Sequence, residues 1–270
     1  GRTHVYLYGE LEDPETITCA MLAEGAQAVA AGLQQQGLLP GQSVAIMLPT
    51  GRDYLFSFFG ILMAGGVPVP IYPPLRPSQL EDHMRRHVRI LNNCRTHTLI
   101  TVSEAQRVAR LLRSQVPSLR HIVSAEELGA TTGRAALPTP AASDTAFIQY
   151  TSGSTGAPKG VVLTHANLLA NIRAMGRALE ATSKDVFVSW LPLYHDMGLI
   201  GAWLDSLYFG ARAVIAPLRH AAPETGAFDP RAPFRRKSRV RRPATRRRRS
   251  QRPRSRAPSG ARPGRAVRGG

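Results

Sequence analysis

Cysteine is scarce, with two residues in 270, Cys19 and Cys94. That excludes a disulfide framework, and neither thiol stands at a metal-ligand spacing, so free thiols in a reducing cytoplasm are expected. Long apolar runs are missing too. The most apolar stretch, Tyr54–Tyr72, is broken by Gly65, Gly66, Pro68 and Pro70, which leaves it too short and interrupted to span a bilayer. No basic-then-apolar leader precedes a small-residue cleavage site, so no secretory signal is expected. Because the chain begins at Gly1 rather than Met, its natural start is expected upstream. Acidic residues are absent from 231–270, which hold 16 Arg and Lys237. The net charge of +17 therefore belongs to that tail, and residues 1–230 balance 18 basic against 18 acidic side chains. A basic composition ordinarily suggests a nucleic-acid partner, but here it says nothing about the neutral body.

What the body does contain is apolar substance, 43% of the chain, in a length sufficient for a sizeable core. From about residue 16 to 124, β-rich runs alternate with amphipathic ones. Strands are predicted at Gln42–Leu48, Val67–Ile71, Thr98–Val102 and His121–Ser124, and helices at Asp53–Ala64, Ser78–Asn93 and Glu104–Gln115. Ser78 and Glu81 have capping-box spacing, and Met84, Val88 and Leu91 fall on one helical face. After a small-residue and proline-rich connector at 129–143, the alternation resumes. Strands at Thr145–Tyr150 and Gly160–Thr164 precede a helix at Ala166–Glu180 with Thr164 as its cap. A strand at Val186–Ser189, the turn LPLYHDMG, a helix at Leu199–Phe209 and a strand at Ala211–Ala216 follow. This pattern predicts an α/β fold with mainly parallel sheets flanked by helices. From about Arg219 only Arg, Pro, Ala, Ser and Gly dominate. So little apolar content with so much like charge predicts disorder.

The chemistry concentrates in Thr151-Ser152-Gly153-Ser154-Thr155-Gly156-Ala157-Pro158-Lys159-Gly160. Hydroxyls and glycines give a loop with exposed N–H groups, side-chain donors and little bulk, suited to wrapping an anion, and Lys159 adds a mobile cation. A flexible linker would explain most such runs, but this one joins two apolar strands, FIQY and GVVL, where linkers seldom sit. A Walker-type loop needs Gly-Lys-Ser/Thr opening a helix, whereas here Pro158 precedes Lys159 and a strand follows. The expected device is a strand–loop–strand clasp on a polyphosphate.

The whole segment Tyr150–His165, YTSGSTGAPKGVVLTH, resembles the phosphate-loop signature of the adenylate-forming superfamily, which includes acyl-CoA synthetases, luciferases and peptide-synthetase adenylation domains. A second segment, Trp190–Gly201 (WLPLYHDMGLIG), and the stretch Gly60–Pro74 (GILMAGGVPVPIYPP) most resemble fatty acyl-AMP ligases and long-chain acyl-CoA synthetases. The resemblance spans about residues 16–218. It implies the incomplete N-terminal part of an adenylate-forming large domain at 1–218, a basic tail at 219–270, and no C-terminal subdomain. It implies ATP and Mg2+, with Thr151, Ser152, Gly153, Ser154, Thr155, Gly156 and Lys159 on the ATP phosphates and Thr151 reaching magnesium through Mg-ATP. His195, otherwise an ordinary polar partner of Asp196, is implied to be catalytic with Lys159, near the acyl carboxylate. The implied substrate is a fatty acid, with an acyl-carrier protein or CoA as acceptor.

The family's adenine-binding segment, its magnesium-binding acidic residue and its ribose-binding Asp normally follow Pro217, and none is recognisable here. An out-of-frame reading of GC-rich sequence from about residue 219 is the expectation, and with it a chain unable to turn over alone. Two other readings stay open: a nonspecific nucleic-acid binder acting through the arginine-rich tail, and an inactive ATP-binding relative. The tail 231–270 has one aromatic, Phe234, and none of the Tyr or Trp that stack on bases. His83 and His87 have i,i+4 spacing and, with His97, invite a metal reading. Arg85 and Arg86 stand between them instead of an acid, so a solvated basic face is expected. Tyr54, Phe56, Phe58 and Phe59 are expected to pack the core.

Overall fold

The computed structural model describes residues 2–9, 13–73, 80–151 and 158–216, apart from the side chains of 80–82 and Val108. These residues fall within one compact unit, Gly1–His220. The basic tail, the Ser78/Glu81 capping box and Ser152, Gly153, Ser154, Thr155 and Gly156 lie outside the described residues.

The first half builds an open parallel sheet. Strands β1 (Thr3–Leu7) and β2 (Glu15–Thr18) lead into helix α1 (Cys19–Gln35), where the Thr18 hydroxyl accepts from the Met21 N–H at 3.1 Å. Next come β3 (Ser43–Met47), α2 (Arg52–Met63), β4 (Val67–Pro70), α3 (Leu80–Asn93), β5 (Thr98–Thr101), α4 (Gln106–Arg113), β6 (His121–Ser124) and α5 (Ala125–Gly129). The order β4-β3-β5-β6 is parallel throughout. Alternation along β3 shows why both faces must be covered. Val44 and Ile46 join the core formed with α1 and α2, while Ala45 and Met47 join Ile90, Leu91 and Leu112 of α3 and α4.

The second half begins with β7 (Thr145–Thr151) and β8 (Lys159–Thr164), an antiparallel pair set against β4. Helix α6 (His165–Ala178) follows, opened by a reciprocal box in which Thr164 and Asn167 bond each other's backbone N–H. Then come β9 (Val186–Ser189), a π-helical stretch Met197–Leu204, α7 (Asp205–Tyr208) and β10 (Arg212–Ile215). The last strand returns to the first: β10 pairs parallel with both β1 and β9, giving the order β2-β1-β10-β9.

The expected α/β architecture with mainly parallel sheets is what the chain adopts. Among the described residues two pairings are antiparallel, β1 with β2 and β7 with β8. The helix expected at Leu199–Phe209 starts at Met197 and is π-wound to Leu204 before α7. Tyr54 and Phe58 are fully buried, and Phe58 packs edge-to-face on Phe147 and Trp203 with ring centroids 5.9 and 5.8 Å away. Phe56 and Phe59 pack against this core from its margin. Cys19 and Cys94 are both free thiols. Among the described residues no helix is long and apolar enough to cross a membrane.

Candidate functional site

The hairpin positions the first part of the site. In its register Thr151 faces Lys159 and Tyr150 faces Gly160. Residues directly opposite in an antiparallel pair project to the same face, so the ends of both strands present a hydroxyl and an ammonium side by side. Both residues are exposed. Gly160 has a packing reason: a Cβ there would lie 3.0 Å from Tyr150 Cζ. Its absence lets the Tyr150 ring lie across the hairpin, where its hydroxyl donates to Asn93 Oδ1 at the end of α3. Burial, then the neighbouring Cys94, pushes the Tyr150 phenol well above its ordinary value, so it remains a donor.

The second part is the turn between β9 and the π-helical stretch. Leu193 is buried and pinned twice through its backbone. Its N–H donates to Thr50 Oγ1 at 3.1 Å, and its carbonyl accepts from the Tyr54 hydroxyl at 2.7 Å. One residue on, the Tyr194 carbonyl accepts from Gln149 Nε2 at 3.0 Å, tying the turn to β7. The turn closes on itself when His195 N–H donates to the Pro192 carbonyl at 3.1 Å. Gly198 is required there, because a Cβ would stand 2.4 Å from the Pro192 carbonyl oxygen. The His195 ring is left exposed, its Nδ1 3.5 Å from Asp196 Oδ1, and that same carboxylate oxygen accepts from the Met197 N–H at 2.8 Å.

Both parts open on one cavity of about 350 Å³ at the carboxyl end of β4, where clefts in open α/β sheets form. Thr151 and His195 line it together, with Tyr72, Arg86, Gln149 and Tyr194 among its other walls. Tyr72 and Tyr194 approach with ring centroids 6.0 Å apart, and Tyr194 lies 6.3 Å from the His195 ring. Burial raises the Tyr194 phenol above its usual range, with Tyr72 adding to it. Lys159 does not line the cavity and stands instead across the hairpin from Thr151.

The solvated face expected for His83 and His87 is not observed. His83 is 9% exposed and His87 0%. Their rings meet at 4.1 Å beneath Tyr72, and His83 Nε2 lies 3.1 Å from the Tyr72 carbonyl oxygen. Tyr72, just past β4, packs over this side of α3, a covering that helical periodicity alone does not reveal. Burial lowers both imidazoles, helped by the Arg86 charge, and His87 falls to about 3. His97 pairs instead with His121, at 5.4 Å between rings. Among the described residues no group of three or more His, Cys, Asp or Glu could hold a metal ion.

Sequence reasoning missed Tyr72, Arg86, Gln149 and Tyr194 as cavity walls. Two of them, Tyr72 and Tyr194, stand inside segments that carried the resemblance, IYPP and LPLYHD, and could have been proposed from them, while Gln149 lies just before the third, in the strand FIQY. Arg86 had no such signal.

Comparison with known proteins identifies the family. A family model described as AMP-binding enzyme matches residues 1–228, past the Leu218 boundary read from composition. The chain is 40% identical over 184 residues to the long-chain-fatty-acid–AMP ligase FadD32 of Mycobacterium marinum, covering 67% of this chain and 28% of that protein. It is 30% identical over 213 residues to the medium-chain-fatty-acid–[acyl-carrier-protein] ligase JamA of Moorena producens, covering 77% and 36%. Among solved structures, the fatty acyl-adenylate ligase from L. pneumophila in complex with acyl adenylate and pyrophosphate superposes with a TM-score of 0.67 at 30% identity. That match covers 80% of this chain and 37% of that one. The chain thus spans about a third of the length of these relatives. With the family model matching well over half of its residues, the chain belongs to the AMP-binding enzyme family, among relatives that are fatty acyl-AMP ligases.

Proposed function

We propose that the chain supplies the phosphate-binding and carboxylate-facing part of an ATP-dependent enzyme that activates a fatty acid as its acyl-adenylate. The observation that carries this reading is the convergence of Thr151 and His195 on one cavity, with Lys159 opposite Thr151 in the hairpin. In the reaction a carboxylate oxygen attacks the α-phosphorus of ATP, the Pα–O bond to the β-phosphate breaks, and pyrophosphate leaves. Thr151, the segment Ser152–Gly156 and Lys159 hold the β- and γ-phosphates. His195, exposed at the mouth of the turn, donates a hydrogen bond to charge developing between carboxylate and α-phosphate. These groups position the reactants and neutralise charge.

Magnesium bound here would be carried on the nucleotide, neutralising its phosphates. Such an ion needs few protein ligands, and the exposed Thr151 hydroxyl is an oxygen donor of the right kind. The acyl group then passes to a thiol. The likeness to JamA, named as an acyl-carrier-protein ligase, supports a carrier protein as that acceptor. In the same reading residues 1–218 are part of the adenylation domain and 219–270 a tail outside it, and the chain alone binds ATP without turning it over.

Calorimetric titration of the 270-residue chain with Mg-ATP tests the first step. Saturable binding, weakened tenfold or more by Lys159→Ala, is expected. Absence of binding, or binding indifferent to Lys159→Ala, overturns the phosphate assignment. Joining the chain to the downstream portion of FadD32 and assaying ATP–pyrophosphate exchange with octanoate, dodecanoate and hexadecanoate tests the chemistry. Exchange that depends on the acid and falls with His195→Ala is expected.

A further inference from the structure

Helix α3 carries three arginines in its middle, and they do not share one environment. Arg85 and Arg89 are exposed, whereas Arg86 is half-buried. One turn further along α3, Ile90 lines the same cavity wall as Arg86. The Arg86 guanidinium carbon sits 5.7 Å from the centre of the Tyr72 ring, and its Nε is buried without a hydrogen-bond partner. A guanidinium N–H taken out of water and left unused is unfavourable unless something else completes it. Among the described lining residues Arg86 is the only Lys or Arg. The carboxylate on that lining, Asp196, is engaged with the Met197 N–H and faces His195. Gln149, 8% exposed, has its amide nitrogen fixed on the Tyr194 carbonyl. The lining therefore offers an incoming anion one fixed positive charge, and that charge faces the cavity that Thr151 opens on.

We propose that Arg86 is a phosphate-contacting residue of this site, reaching the pyrophosphate portion of the nucleotide from the wall formed by α3. The proposal rests on reading the cavity as the phosphate site, and it adds a cation that no motif identified. Phosphate is the fitting anion because a planar guanidinium matches two of its oxygens at once, which a point-charge ammonium does not. Tyr72 beneath the guanidinium fixes the plane, so little side-chain freedom is lost on binding. The buried, neutral pair His83 and His87 under Tyr72 leaves Arg86 as the charge of that wall.

Calorimetric titration of the 270-residue chain with inorganic pyrophosphate, and separately with dodecanoate, tests this. Arg86→Gln and Arg86→Met are expected to weaken pyrophosphate binding tenfold or more while leaving dodecanoate binding unchanged. Arg86→Lys is expected to recover part of the loss. Melting temperatures close to the parent's separate lost charge from lost packing, since Met keeps the stem on Tyr72. Pyrophosphate binding that survives Arg86→Gln but falls with Lys159→Ala overturns the role of Arg86 and leaves the phosphate site standing. A loss confined to dodecanoate overturns it as well, assigning Arg86 to the acid. No pyrophosphate binding by the parent chain overturns both readings.

Discussion

The hydroxyl of Tyr54 donates to the carbonyl of Leu193, 139 residues further along, at 2.7 Å. Tyr54 belongs to α2 and packs beside Phe58, so this bond joins the aromatic core to the turn that presents His195. Among the described residues the turn hangs from three such attachments, to Thr50, Tyr54 and Gln149, and no strand runs through it. A turn held this way can be weakened without touching any group at the cavity.

Tyr54→Phe is the direct test. It preserves the ring and leaves a buried carbonyl unsatisfied, which costs about 1–3 kcal/mol. In a domain of this size that lowers the melting temperature by roughly 2–4 °C per kcal/mol. Hydrogen exchange should accelerate from Leu193 to Leu199 while remaining slow in β3 and β5. Uniform exchange throughout the chain would show that the bond does not hold the turn.

Gly198→Ala attacks the same turn from inside. The new methyl would meet the Pro192 carbonyl oxygen at 2.4 Å, and both groups are backbone-fixed. Either the turn opens or the π-helical stretch shifts, at a cost of about 1–3 kcal/mol or more. The expected readout is a changed His195 imidazole resonance together with a lower melting point. Gly129→Ala serves as the control, since nothing lies within 4 Å of a Cβ there. Equal effects of the two substitutions would contradict the close-approach argument.

Much of this was legible in the sequence, for identifiable reasons. The strands on either side of the Gly/Ser segment follow from the apolar runs FIQY and GVVL, whereas the antiparallel register that sets Lys159 opposite Thr151 comes only from the fold. The cap at Thr164 is a local signal and appears where expected. What sequence could not show is contact across distance. Val5 of β1 pairs with Ala213 of β10, and no local pattern announces that the first and last strands adjoin. The burial of His83 and His87 has the same origin. Spacing places two residues on one helical face but cannot say that Tyr72 will cover it. Arg86 was hidden for that reason among its neighbours Arg85 and Arg89.

The buried histidines also predict a pH dependence. Burial, then the charges of His83 and Arg86, holds the His87 imidazole at about 3 in the folded chain, against about 6.5 when unfolded. The unfolded state therefore binds the extra proton first as pH falls. This contribution is intact above about pH 6.5 and is lost downward from there, by about 1.4 kcal/mol per pH unit, until about pH 3. His4 and His83, also lowered by burial, act in the same direction. Melting temperature should hold from pH 7.5 to about pH 6.5 and drop steadily from there to pH 5. His87→Leu should flatten that slope, and an unchanged slope would mean that His87 is not held neutral.

Asp205 gives the opposite sign. It opens α7 fully buried, and both of its carboxylate oxygens lack a hydrogen-bond partner. Burial raises its pKa above the usual carboxylate value. A group raised in this way binds its proton more tightly when folded, so it costs nothing at a pH below the unfolded value near 3.9. The cost appears as pH rises through the folded value, because the folded chain must then keep a buried charge. Asp205→Asn removes the charge while keeping the shape. The substituted chain is expected to melt higher than the parent at pH 8, with the gap closing towards pH 4. A gap that stays constant with pH would assign the difference to packing, and a lower melting point at pH 8 would show that the carboxylate is paired after all.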